Sequence, residues 1–335
     1  MSLLSQPLIS YAEVTAELPC SKELWLCRTA EEWKITYLGR GEDMNKPLPS
    51  VRSCIDDSTH IFEDQGSVDV QMSLLLTIAV MWALVWQYRE MKSAARSRST
   101  GDQHKSTMTM SSRHQEILHM LQHTNLNATE WLGEMPPKTR LLHEQILMHL
   151  YVSLEDVQLL AGKDGEEETR RVIPILSSWA GSTDARKALF HAGQVIRAAK
   201  DFPPFTLRDS PAVGVYHASL VFWAWAVFSR KHERANVPSQ SAGTTNLVVI
   251  DGGESAELQR FLVLGKGIPC IQGISEGSTP TTVIPLKHIA EVMKTINGTL
   301  QRHFNEDERT CPTLLENLTK LMQSLGRAAS GTKGR

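Results

Sequence analysis

Two long apolar stretches, Met72–Trp86 and Pro211–Phe228, limit what this chain can become. A helix that is apolar around its whole circumference is stable only where protein or lipid, not water, surrounds it. A bilayer core takes around 20 consecutive apolar residues. The first stretch supplies about 15, roughly 22 Å of helix at the usual rise per residue. The second carries His217 and Ser219 in its middle. Short length, internal polar groups and polar, capped helices on either side favour central helices of a protein core over membrane spans. Of the 335 residues, 41% are hydrophobic and 21% charged, enough apolar material to enclose both. The expected fold is all-α, a large irregular multi-helix bundle or array with two buried apolar central helices.

The rest of the sequence punctuates into helices. Leu141–Leu160 is apolar at helical spacing, and Gly162 fits its C-cap. Glu166–Arg171 opens another helix, with acids in the first turn and i,i+4 pairs Glu166–Arg170 and Glu167–Arg171. Pro174 should kink or restart it. Ser182–Lys200 is the clearest amphipathic segment, with Ala185, Ala188, Leu189, Ala192, Val195, Ile196 and Ala199 on one stripe. Phe202-Pro203-Pro204 stops it, and Ser210-Pro211 starts the second apolar helix. Asn246–Gly253 reads as a short strand and turn, or an ordered loop. Ile289, Val292, Met293 and Ile296 mark a helix after Pro285, and Pro312 to Gly326 bounds a last one. Lys92–Ser112 lacks apolar periodicity and is rich in hydroxyls and cations, as in a flexible linker or long surface loop. The expected organisation is therefore an N-terminal helical part (1–91), a linker (92–112), a main helical domain (113–326) and a polar tail (327–335).

Motifs for chemistry are sparse. A net charge of -2 gives no electrostatic footprint for a phosphate backbone, so direct nucleic-acid binding is not expected. Five cysteines without a CxxC pair fit buried thiols in a reducing compartment better than disulfides or a zinc ribbon. The N-terminus lacks the basic and apolar regions of a secretion signal, so the Asn-x-Thr sequons at Asn127, Asn297 and Asn317 carry no expected meaning. Gly273-Ile-Ser-Glu-Gly277 matches GxSxG, but Pro280 follows closely and no helix does, so a hydrolase using Ser275 is a minor alternative. His143-Glu-Gln-Ile-Leu147 has leucine where a zinc helix needs its second histidine. No catalytic or metal residue is therefore assigned. His191, Gln194 and Arg197 share one helix face and, with His217 inside the second apolar helix, form the candidate set. They either line a polar pocket or make interhelical hydrogen bonds, and the second role is the commoner one for such residues. The eight tryptophans lie mostly on apolar helical stretches, as core residues do.

Several segments in order, from Leu8 to Leu325, resemble the fungal-specific transcription factor domain in the version found behind C2H2 zinc fingers. They are Leu8–Glu13, Glu23–Leu26 with Glu31–Lys34, Val152–Glu168, Asp184–Lys200, Val215–Leu220 and Leu258–Gly267. The stretch around His191 is the most specific. The resemblance implies an all-helical regulatory domain without catalytic residues, acting in the nucleus. It implies contact with the transcription machinery or other regulatory proteins, or with a small-molecule inducer. Relatives of this type carry zinc in an N-terminal DNA-binding module. No cysteine–histidine cluster stands before Leu8 or later in this sequence, so neither DNA binding, zinc nor another cofactor is expected here. A membrane-associated helical protein is the other alternative, and it rests on the same two apolar stretches.

Overall fold

The computed structural model describes Pro7 and residues 10–40, 47–63, 66–96, 103–235, 246–273, 282–302 and 311–331. Its architecture is all-helical, with one small sheet. The described residues group into two compact units that divide between Thr139 and Arg140.

In the first unit a 3-10 turn at Tyr11–Glu13 precedes α1 (Lys22–Leu26), α2 (Ala30–Leu38), α3 (Val51–Asp56), α4 (His60–Glu63), α5 (Val70–Arg96) and α6 (Gln103–Leu132). The first apolar stretch lies in α5. Leu74, Ile78, Met81, Trp82, Leu84 and Val85 are buried there, against α3, α4 and α6. Between Thr29 and Glu32 a hydroxyl cap starts α2, but that helix buries none of its residues. With α1 it leaves Trp25, Leu26, Ile35 and Leu38 exposed. Opposite α5, Asn127 Nδ2 donates to Ser58 Oγ at 2.8 Å and the Phe62 and Trp131 rings stack at 6.1 Å.

The expected linker is a point of difference. Lys92–Arg96 continues α5, and Gln103–Ser112 is the start of α6; residues 97–102 lie outside the described ones. Backbone hydrogen bonds within a helix need no apolar periodicity, which is why a polar helical extension looks like a linker in sequence.

The second unit contains α7 (Pro137–Tyr151, of which its first residues precede the division), α8 (Leu154–Leu160), α9 (Glu166–Ala180), α10 (Thr183–Lys200), α11 (Ser210–Ala235), α12 (Ala256–Leu264), α13 (Ile289–Gln301) and α14 (Thr313–Gly331). At its centre, α11 packs on α8, α9, α10, α13 and α14, and Val215, Leu220, Val221, Phe222 and Phe228 are enclosed. All seven residues of the expected α10 stripe are fully buried. Ser182 caps that helix by accepting from the Ala185 N–H at 3.1 Å.

Three helix boundaries differ from expectation. Leu141–Leu160 is two helices, because Ser153 takes an extended backbone and caps α8 through the Asp156 N–H. Gly162 does end α8: at φ +93° it sets Gly162 N–H on Leu159 O and Lys163 N–H on Gln158 O, the paired bonds of a Schellman motif. α9 does not restart at Pro174: one helix spans it, anchored on both sides by buried Val172, Leu176 and Ala180. Its surface pairs are Glu166–Arg170 at 2.6 Å and Glu168–Arg171 at 2.7 Å, so Arg171 takes the acid one turn away at i−3 in place of Glu167. α14 continues past Gly326 through the first residues of the expected tail, because that glycine does not take the left-handed backbone that ends a helix.

The sheet is small. β1 (Leu247–Val249) runs parallel to β2 (Ile268–Gln272), with Val248 opposite Pro269, and β3 (Val283–Pro285) pairs antiparallel, with Ile271 opposite Ile284. α12 makes the crossover between the parallel strands, as such a connection requires. Asn246–Gly253 is thus a strand and turn.

Candidate functional site

One face of α10 carries His191, Gln194 and Arg197 at three-residue spacing, and Lys200 continues the row. The structure divides this row between two partners. Gln194 Nε2 donates to Ile250 O at 2.9 Å and Gly252 O at 3.0 Å, and Arg197 Nη1 donates to Gly252 O at 3.1 Å. Lys200 Nζ reaches Asp251 Oδ2 at 2.7 Å and Gln272 O at 3.1 Å. Asp251 also accepts the Gln272 N–H, at 2.9 and 3.1 Å. Its side chain is 0% exposed, so Lys200 supplies the opposite charge that a carboxylate removed from water needs. A cation likewise closes the C-terminal end of α12: Arg186 Nε donates to Leu262 O at 3.0 Å and Nη2 to Val263 O at 3.3 Å. The polar face of α10 therefore holds the turn after β1 and the end of α12.

The backbone approach behind this seam is tight. A Cβ on Gly193 would stand 2.4 Å from Ile250 O, so only glycine lets α10 meet the turn after β1 at this distance.

His191 turns the other way, to α7. Its Nδ1 lies 2.7 Å from Glu144 Oε2, and its ring stacks on Tyr151 with centroids 5.6 Å apart and planes 3° from parallel. His143 Nδ1 is 3.7 Å from the other oxygen of Glu144. Burial favours a neutral Glu144, but the hydrogen bonds and charges of His143 and His191 outweigh it and hold the carboxyl down to about 2. His217, on α11, meets α7 at other residues: Gln145 Nε2 and His217 Nδ1 are 3.0 Å apart, and the rings of His149 and His217 meet edge to face at 5.5 Å.

The four candidates thus do not converge on one pocket. They join α10 and α11 to α7 and to the sheet. Sequence reasoning missed Glu144, Lys200, Asp251 and Arg186. Lys200 was signalled by the same three-residue spacing, whereas Glu144 and Asp251 gain partners only by folding. An imidazole oriented by a carboxylate has the chemistry of a base, but His191 is 13% exposed on its side chain and closed in by Tyr151 and Phe190. Among the described residues no group of three or more His, Cys, Asp and Glu is placed to hold a metal ion. Ser275 lies outside the described residues. Burial pushes the thiols of Cys54 and Cys270 up to about 11, which leaves them weak nucleophiles at neutral pH.

α5 and α11 are each long and apolar enough to cross a membrane by length and composition. In the folded chain, 50% of the most apolar window of α5 and 72% of that of α11 is buried inside the protein.

Fold and site together define an all-helical scaffold in which His191, Gln194, Arg197 and His217 join its own elements. The sequence is similar to fungal transcription factors. It is 24% identical over 314 residues to Transcription factor 1 of Elsinoe fawcettii, an alignment covering 86% of this chain and 31% of that protein. It is 22% identical over 332 residues to a transcription factor of Zymoseptoria tritici, covering 86% of this chain and 33% of the relative. The chain spans about a third of the length of these curated relatives. No family model and no solved structure matches the chain.

Proposed function

We propose that this chain is the regulatory domain of a fungal transcription factor of the kind its sequence resembles, acting in the nucleus through contacts with other proteins of the transcription apparatus. The observation that carries the proposal is the alignment with two fungal transcription factors over 86% of the chain. The geometry agrees with it. α10 and α11 build an apolar core in which Gln194, Arg197 and Lys200 are bonded internally, leaving the surface of the array to meet partners. The domain works by binding, as a noncatalytic module does: a partner or small ligand that prefers one arrangement of the helices shifts the population toward it.

A fusion tests the reading. The whole chain is joined to an unrelated DNA-binding module, and transcription from a reporter bearing that module's site is measured. A severalfold rise or fall relative to the module alone is expected. A fusion that is folded by circular dichroism and present in the nucleus, yet leaves reporter output unchanged, overturns the proposal.

A further inference from the structure

The seam between α13 and α14 contains an open cleft of about 450 Å³. Met293, Ala290 and Gly326 give it an apolar floor; Lys294 and Arg327 stand on it as cations. None of its lining residues is acidic, and neither cation makes an ion pair with a described residue. Asn297 also lines the cleft. It is 5% exposed, and its Oδ1 has no hydrogen-bond partner among the described residues. A carboxamide taken out of water with its oxygen unsatisfied costs free energy, so its presence in a helix seam calls for a hydrogen-bond donor. Gly326 has a part in the opening as well. A Cβ at that position would rest in ordinary contact on Met293 and Ala290, so the absent side chain leaves that part of the floor bare.

We propose that this cleft binds a small organic acid that also bears a hydroxyl: an apolar body on Met293 and Gly326, a carboxylate between Lys294 and Arg327, and the hydroxyl donating to Asn297 Oδ1. The volume falls within the range of small-ligand sites, and a few placed polar groups over an apolar floor are what such sites use for orientation. Opposite-charge recognition sets the preference for an anion, and burial of the apolar body supplies most of the affinity. The inference deepens the regulatory reading by giving the ligand a class and an address. Binding is read on the purified chain with no transcription involved, so either idea can fail while the other stands.

The test is calorimetric titration of the whole chain with octanoate, octanol and acetate. Octanoate carries both tail and charge, and each of the others carries one of them. Saturable binding of one octanoate is expected, about tenfold or more tighter than either comparison compound, a factor that corresponds to about 1.4 kcal/mol. Lys294→Met with Arg327→Met, both at exposed positions, should remove about that tenfold preference over octanol without weakening octanol itself. Asn297→Leu, which removes an acceptor that only a ligand hydroxyl can use, should leave octanoate unchanged, as should Lys320→Met on the same helix as Arg327. Octanoate binding no tighter than acetate, or binding that the Lys294/Arg327 double variant leaves intact, overturns the proposal.

Discussion

The helices around α5 and those around α11 start from similar sequences and end in different environments. Both central helices are long and apolar. α11 is packed by five helices and encloses Phe222 and Phe228, whereas α5 leaves Met72 and Met91 exposed and Leu75, Leu76 and Val80 only partly covered. Their polar groups differ too, although Trp223 Nε1 on α11 is also buried without a hydrogen-bond partner among the described residues. Around α11, Gln194, Lys200, Asp251 and Glu144 are each bonded to a partner far away in sequence. On α5 the buried hydroxyls of Ser73 and Thr77 have no hydrogen-bond partner among the described residues. Apolar length thus buys a place in a core. Long-range polar bonds then fix which neighbours the helix keeps, because an unmade bond in a buried site is penalised.

The largest test of this contrast is truncation. Phe222→Ala should cost about 3–5 kcal/mol of unfolding free energy, and Leu76→Ala on the open side of α5 about 1–2 kcal/mol, in denaturant titrations of the whole chain. Equal costs would break the comparison and show the open side of α5 to be covered in solution.

Acid provides the next. Glu144 is held below its unfolded value, so its stabilisation is fully present above about pH 4.5 and is lost as pH falls toward about 2. The linked stability is at most about 3 kcal/mol. Wild type should therefore lose its advantage over Glu144→Gln between these two pH values. An advantage that is flat with pH would mean that His143 and His191 do not stabilise the charged form.

The smallest pair has opposite signs. Gln194→Leu leaves the Ile250 and Gly252 carbonyls with fewer donors and should cost about 1–3 kcal/mol. Thr77→Val replaces an unbonded buried hydroxyl by a methyl group of the same shape and should gain about 1 kcal/mol. A loss at Thr77 would show its hydroxyl to be bonded after all, and would narrow the difference between the two regions.

Much of this was legible in the chain itself. The α10 stripe, its serine cap and the Gly162 stop follow from local rules, since spacing, hydroxyl caps and positive φ act within a few residues. The break at Ser153, the uninterrupted α9 and the passage of α14 through Gly326 were not legible, because each depends on what the segment packs against. The candidate site shows the same limit. Sequence placed His191, Gln194 and Arg197 on one face, but a shared face does not say that two of them reach the turn after β1 and the third reaches α7.

By itself, then, the sequence determined an all-helical array with two greasy struts and one strongly amphipathic helix, because apolar periodicity and capping are properties of neighbouring residues. Tertiary structure alone decided which strut was enclosed, which carboxylates met His191 and Lys200, and where a cleft opened between α13 and α14. Those outcomes join residues up to about a hundred positions apart, as Arg302 does when it donates to Lys200 O at 3.2 Å, and only the folded chain brings them within hydrogen-bonding distance.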